Sequence, residues 1–78
     1  EIKKEIDFSK IVSDMKECYN NLDVVTIDGI KFIMSKEHCW IHLRKSNTEP
    51  IIRIYTEAPK KILAQKLFQQ ISNIINTN

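Results

Sequence analysis

Glycine is almost missing from this chain of 78 residues: Gly29 is the single one. Proline occurs only at 50 and 59, and aromatic side chains make up 8% of the whole. So little Gly and Pro, with no internal repeat, leaves no low-complexity block, and an apolar fraction of 42% speaks against disorder. Charge of one sign is scarce too. Twelve basic and ten acidic side chains leave a formal +2, too little to argue for a nucleic-acid partner. No apolar run approaches the length that spans a bilayer, and no signal-peptide pattern opens the chain, so no membrane partner is expected. Two cysteines, Cys18 and Cys39, are too few for a disulfide framework; they read as reduced thiols in a cytoplasmic setting. Arginine is the last scarcity. The chain carries ten lysines and only two arginines, Arg44 and Arg53.

What remains is one small domain with a clear order of elements. Residues 1–7 are charged and short, and read as a linker from upstream domains; the absent initial Met and the polar tail suit a piece of a longer protein. From 8 to 78 the pattern is that of a folded unit. Phe8, Ile11, Val12, Met15, Tyr19 and Leu22 recur at helical steps, with Asp7 or Ser9 as N-cap and Asn20-Asn21 as the stop. Val24 to Ile27 and Ile30 to Met34 are short apolar runs around Asp28-Gly29, the strongest short hairpin signal. Cys39 to Lys45 alternates, with Ile41 and Leu43 on one face and Trp40, His42 and Arg44 on the other. Ile51 to Glu57 alternates as well, with Ile52 and Ile54 opposed to Ile51, Arg53 and Tyr55. Ala58-Pro59 opens a last helix whose stripe runs through Ile62, Leu63, Lys66, Leu67, Gln70, Ile71, Ile74 and Ile75. Helix, four strands, helix predicts an α+β fold: a mainly antiparallel four-stranded sheet with both helices on one face and the other face free.

The stretch Arg44-Lys45-Ser46-Asn47-Thr48-Glu49-Pro50-Ile51-Ile52-Arg53 should form a hairpin tip, and both arginines flank it. A guanidinium is a planar fork that grips phosphate or carboxylate through two parallel hydrogen bonds, which an ammonium cannot do. Ser46 and Thr48 add hydroxyls, and the backbone N–H groups of Ser46, Asn47 and Thr48 could converge into an anion nest. Glu49 would be repelled by an anion and should point away, toward Lys45 or Arg53. The same residue types also make ordinary solvated turns, so the residues by themselves leave both readings open.

Taken together, Asp28-Gly29-Ile30-Lys31, Trp40 leading into Arg44–Pro50, then Arg53-Ile54-Tyr55 and Glu57-Ala58 resemble the C-terminal, fourth domain of the α-D-phosphohexomutases. That family includes phosphoglucomutase, phosphomannomutase and phosphoglucosamine mutase, and the similarity runs over residues 7 to 75. The resemblance implies a fold similar to the TATA-binding protein's, in the order α-β-β-β-β-α. It further implies a role as the phosphate-binding domain of an isomerase that moves a phosphoryl group within a hexose phosphate by way of a bisphosphate. Mg2+ and an active-site phosphoserine would lie in other domains. Arg44, Ser46, Asn47, Thr48 and Arg53 would hold the phosphate not being transferred, with no catalytic or metal residue in this domain. Arg53 is the weaker of these, since it could instead brace the loop through Glu49. Asn47 stands where many relatives have Gly and Lys45 where many have Pro; neither exchange removes a donor. The Ser-Asn-Thr-Glu-Pro spelling leans toward phosphomannomutase and phosphoglucomutase. The domain alone should be inactive.

Other residues read blandly. His38, Cys39 and His42 match no zinc spacing, and Cys39 and His42 should point to opposite strand faces. His42 suits a surface position and Trp40 a packing or domain contact. A second reading is a stand-alone α+β module for nucleic acid or protein, using an exposed sheet face with Trp40, Arg44, Arg53 and Tyr55.

Overall fold

The computed structural model describes residues 2–3, 7–46 and 51–77. Helix α1, Phe8–Cys18, starts because the Asp7 carboxylate accepts from the Ser9 backbone N–H at 2.9 Å, satisfying a donor that the first turn leaves free. Of the two expected caps, Asp7 takes the role. The helix ends at Cys18, and Tyr19 leaves it in an extended conformation while its N–H still bonds the Met15 carbonyl. Neither Asn20 nor Asn21 adopts positive φ, so the expected left-handed stop is replaced by this extended exit. The Tyr19 hydroxyl donates to the Gln70 side-chain carbonyl and so ties this exit from α1 to the second helix.

A two-residue strand β1, Ile2–Lys3, precedes α1, and the strands β2, Asp23–Val25, β3, Ile30–Met34, β4, Cys39–Lys45, and β5, Ile51–Glu57, follow it. Helix α2, Lys61–Thr77, closes the chain. The sheet order is β1-β5-β4-β3-β2, antiparallel at every pairing. The expected α+β arrangement of four antiparallel strands between two helices is present. To it the segment read as a linker adds β1, paired as Ile2↔Ile52 and Lys3↔Ile51 along the edge of β5. Two residues are too short for any periodic signal, so only the tertiary pairing reveals them.

Register follows the alternation. Phe32 faces Ile41, Ile30 faces Leu43, and Leu43 faces Ile54, so one face of the sheet is a continuous apolar layer. Ile11 and Met15 of α1 and Leu67, Ile71 and Ile75 of α2 close over it, all buried. Thr56 Oγ1 donates to the Ala64 carbonyl at 3.3 Å and ties β5 to α2. Each large side chain removed from water here contributes about 1.5–3 kcal/mol. Ile62 and Lys66, expected on the buried stripe, are exposed, Ile62 by 68%. The buried positions of α2 repeat every four residues from Leu67, and Ile62 and Lys66 fall off that row. Pro59 likewise sits two positions before the helix rather than in its first turn.

The β2–β3 connection also differs from the sequence reading. Strand β2 stops at Val25, Ile27 is 81% exposed, and residues 26–29 make the turn. Asp28 (φ 54°) and Gly29 (φ 93°) do carry the expected positive φ. A Cβ on Gly29 would lie 2.3 Å from the Leu43 carbonyl oxygen, inside any tolerable contact. Backbone approach and positive φ both require glycine there.

Candidate anion-binding site

The free face of the sheet carries the polar members of the alternation, and the two arginines meet on it. Arg44 of β4 and Arg53 of β5 are register partners, both exposed. Side chains directly opposite in an antiparallel pair have Cβ atoms roughly 4.5–5.5 Å apart, and like charges so placed repel. The register therefore sets the chain's only two arginines directly opposite each other, an arrangement whose repulsion an anion would relieve.

Ser46 follows β4 at the hairpin end. Its backbone N–H donates to the Ile51 carbonyl at 2.9 Å, which closes the hairpin as expected. That bond also corrects the anion nest: the Ser46 N–H is spent on the hairpin and does not join a converging set of donors. Asn47 and Thr48 lie outside the described residues, as do Glu49 and Pro50. Lys45 alternates to the helix side, where its Nζ stands 4.7 Å from the centre of the Phe8 ring and cannot share the face of the arginines.

On its other side Arg44 meets the β2–β3 turn. Its Nη2 is 3.5 Å from Asp28 Oδ1, with the two side chains 48% and 68% exposed, so this pair in isolation is worth about 0–1 kcal/mol. His42 Nε2 lies 2.7 Å from the Asp28 carbonyl oxygen. A carbonyl only accepts, so Nε2 carries the proton and donates. The His42 ring also leans on Tyr55, with centroids 6.1 Å apart. Asp28 was legible in the sequence only as a turn former; its contact with Arg44 depends on the register of β3 against β4. Half-buried Trp40 has Lys31 Nζ 4.4 Å from its ring centre.

Cys39 faces the core and His42 the opposite side, as expected. Burial pushes the Cys39 thiol above its ordinary range, and the Glu37 charge adds to this. Both cysteines are free thiols, Cys18 on the surface. Among the described residues no group of three or more His, Cys, Asp and Glu side chains could hold a metal ion. A surface pocket of about 280 Å³ between Cys18–Asn21, Met34, Lys36 and Glu37 lies at the far end of β3 and β4 from Arg44. No helix of the described residues is long and apolar enough to cross a membrane.

Fold and face together define a class: an α+β domain with helices packed on one side of an antiparallel sheet and charged side chains presented on the other. Residues 3–74 match the family described as phosphoglucomutase/phosphomannomutase, C-terminal domain, and the chain belongs to it. It is 36% identical over 77 residues to the phosphoglucosamine/phosphogalactosamine mutase of Sulfurisphaera tokodaii, covering 96% of this chain and 16% of that protein. The probable phosphoglucosamine mutase of Pyrococcus horikoshii is 31% identical over 77 residues, covering 99% of this chain and 16% of the relative. The phosphomannomutase of Methanocaldococcus jannaschii is 30% identical over 69 residues, covering 88% and 15%. The chain thus spans a small part of the length of these mutases. Two of the three carry the glucosamine name, so the lean of the loop spelling toward glucose and mannose gains no support from them.

Proposed function

We propose that this chain is the phosphate-gripping domain of a phosphohexomutase and holds the phosphate of a hexose phosphate that is not being transferred. The observation that carries the reading is the pairing of Arg44 with Arg53 on the free face, on either side of Ser46, Asn47 and Thr48 in the sequence. Each guanidinium offers a two-pronged grip, and the Ser46 and Thr48 hydroxyls and the Asn47 side chain add donors. An anion held this way loses little freedom it would keep otherwise, and the far end of the sugar is presented to a reacting group supplied elsewhere.

Positioning is therefore this domain's share of the reaction. Mg2+ and a phosphoserine, which the resemblance assigns to other domains, would stabilise phosphoryl charge and donate the phosphoryl group. No residue of this chain is assigned to either, and the domain by itself turns nothing over. Its partners on this reading are the hexose phosphate or bisphosphate and the other domains of the same mutase, in a cytoplasmic setting. The choice among glucose, mannose and glucosamine is made by residues outside this domain.

Inorganic phosphate or a hexose phosphate titrated into the chain should shift the backbone amide NMR signals from Ser46 to Thr48. Affinity should be on the order of millimolar, since one anion supplies few contacts. An oligonucleotide that moves the signals of Trp40, Arg53 and Tyr55, with sugar phosphate moving nothing, would overturn the reading in favour of a nucleic-acid platform.

A further inference from the structure

Arg44 has a cation on one side and an anion on the other. Arg53 opposes it across β4 and β5, and Asp28 reaches it from the turn before β3 at 3.5 Å. The turn that delivers Asp28 is anchored at three points. Ile30, the first residue of β3, pairs with Leu43, so the turn abuts the end of β4. Gly29 packs so tightly that an added Cβ would strike the Leu43 carbonyl oxygen and approach Arg44 Cγ to 3.3 Å. His42 Nε2 donates to the Asp28 carbonyl oxygen at 2.7 Å. Asp28 itself is held at φ 54°, a conformation that Asp and Asn tolerate better than most residues.

From this arrangement we infer that Asp28 is a positioning residue for the anion site: it holds Arg44 in the orientation from which the guanidinium grips phosphate. This rests on the phosphate-binding reading given above. The contact engages Nη2, one of three guanidinium nitrogens, so the group keeps donors for an anion. Without the carboxylate, repulsion from Arg53 and the many rotamers of a long side chain disperse Arg44, and that dispersal must be reversed when an anion binds. His42 acts one step further back, by fixing the backbone from which Asp28 extends.

The test is a cycle of single and double variants of the 78-residue chain titrated with inorganic phosphate, read from the Ser46 amide signal. Asp28→Asn keeps the tolerance for positive φ and the carbonyl that His42 bonds, and removes only the charge. It should weaken phosphate binding about two- to fivefold, the range expected for loss of one exposed ion pair. In an Arg44→Lys background the same exchange should change affinity little, because a fork no longer needs aiming. Binding by Asp28→Asn that equals or exceeds the unaltered chain overturns the inference, as does an equal loss in both backgrounds, which would mark a general effect on the turn. Failure of the unaltered chain to bind phosphate is a separate result: it removes the phosphate-binding reading itself. Asp28→Glu, which restores the charge, should recover part of the loss.

Discussion

The two faces of the sheet are built from the same strands under opposite rules. Ile30, Phe32, Ile41, Leu43 and Ile52 on the helix side are buried and interchangeable in kind; volume and shape are what matter there. Lys31, Trp40, His42, Arg44, Arg53 and Tyr55 on the other side stay partly or fully exposed, and their chemistry differs residue by residue. The first face holds the domain together. The second contributes little to stability and carries the geometry that a ligand would read. Alternation makes this division possible, since a period of two sends successive side chains to opposite sides without disturbing the shared backbone.

The contrast between the faces breaks most visibly at Phe32, which is fully buried in the core cluster. Phe32→Ala should lose about 3–5 kcal/mol through transferred surface and the cavity left behind. For a domain this small, with total stability on the order of 4–12 kcal/mol, much of the folded population would be at risk in a urea titration. Chain that remained folded should still bind phosphate normally, because nothing on the free face has changed.

Arg44→Lys is the opposite case. Stability should move by no more than about 0.5 kcal/mol, as for most exposed positions. Sugar-phosphate binding should weaken by about 1–3 kcal/mol, because the two-pronged bond is lost while the charge is kept. Unfolding curves and phosphate titrations on one preparation would separate the two effects. A variant that lost stability but kept affinity would reverse the roles assigned to the faces.

The smallest effect is expected at Tyr19, where the helix layer meets solvent. Burial raises its hydroxyl above the ordinary tyrosine value of 10.0, and the charges of Cys18, Cys39 and Glu37 add to this. The folded state thus favours the protonated form. The contribution is complete below pH 10 and is lost as pH rises through the higher value of the folded state. Tyr19→Phe should cost about 0.5–1.5 kcal/mol at neutral pH. It should also flatten the alkaline decline in stability measured by denaturant unfolding, leaving the part due to Cys39, whose thiol is raised from 9.0 by burial in the same sense.

Much of this structure could be read from residue order. Asp7 as a cap, the alternation of β4 and β5, positive φ at Asp28-Gly29 and the hairpin after Lys45 all rest on local physics: short-range hydrogen bonding, steric limits on φ, and a two-residue period. The prominence of Arg44 and Arg53 was legible too, because arginine is so rare in a chain that otherwise uses lysine. Residue order spoke less clearly where a partner distant in the chain decided the outcome. β1 exists because β5 offers an edge. Ile62 is exposed because α2 is rotated by the needs of Leu67, Ile71 and Ile75. Tyr19, at the exit from α1, bonds Gln70, 51 positions away.

The site divides the same way. Its donor types, the two forks and the hydroxyls, were determined by the sequence alone, since they are properties of side chains wherever these sit. That Arg44 and Arg53 stand directly opposite, that the Ser46 N–H is spent on Ile51, and that Asp28 reaches Arg44 were decided by strand register. Register is a collective property: it is set where the apolar face of every strand meets both helices at once, and no stretch of sequence contains it.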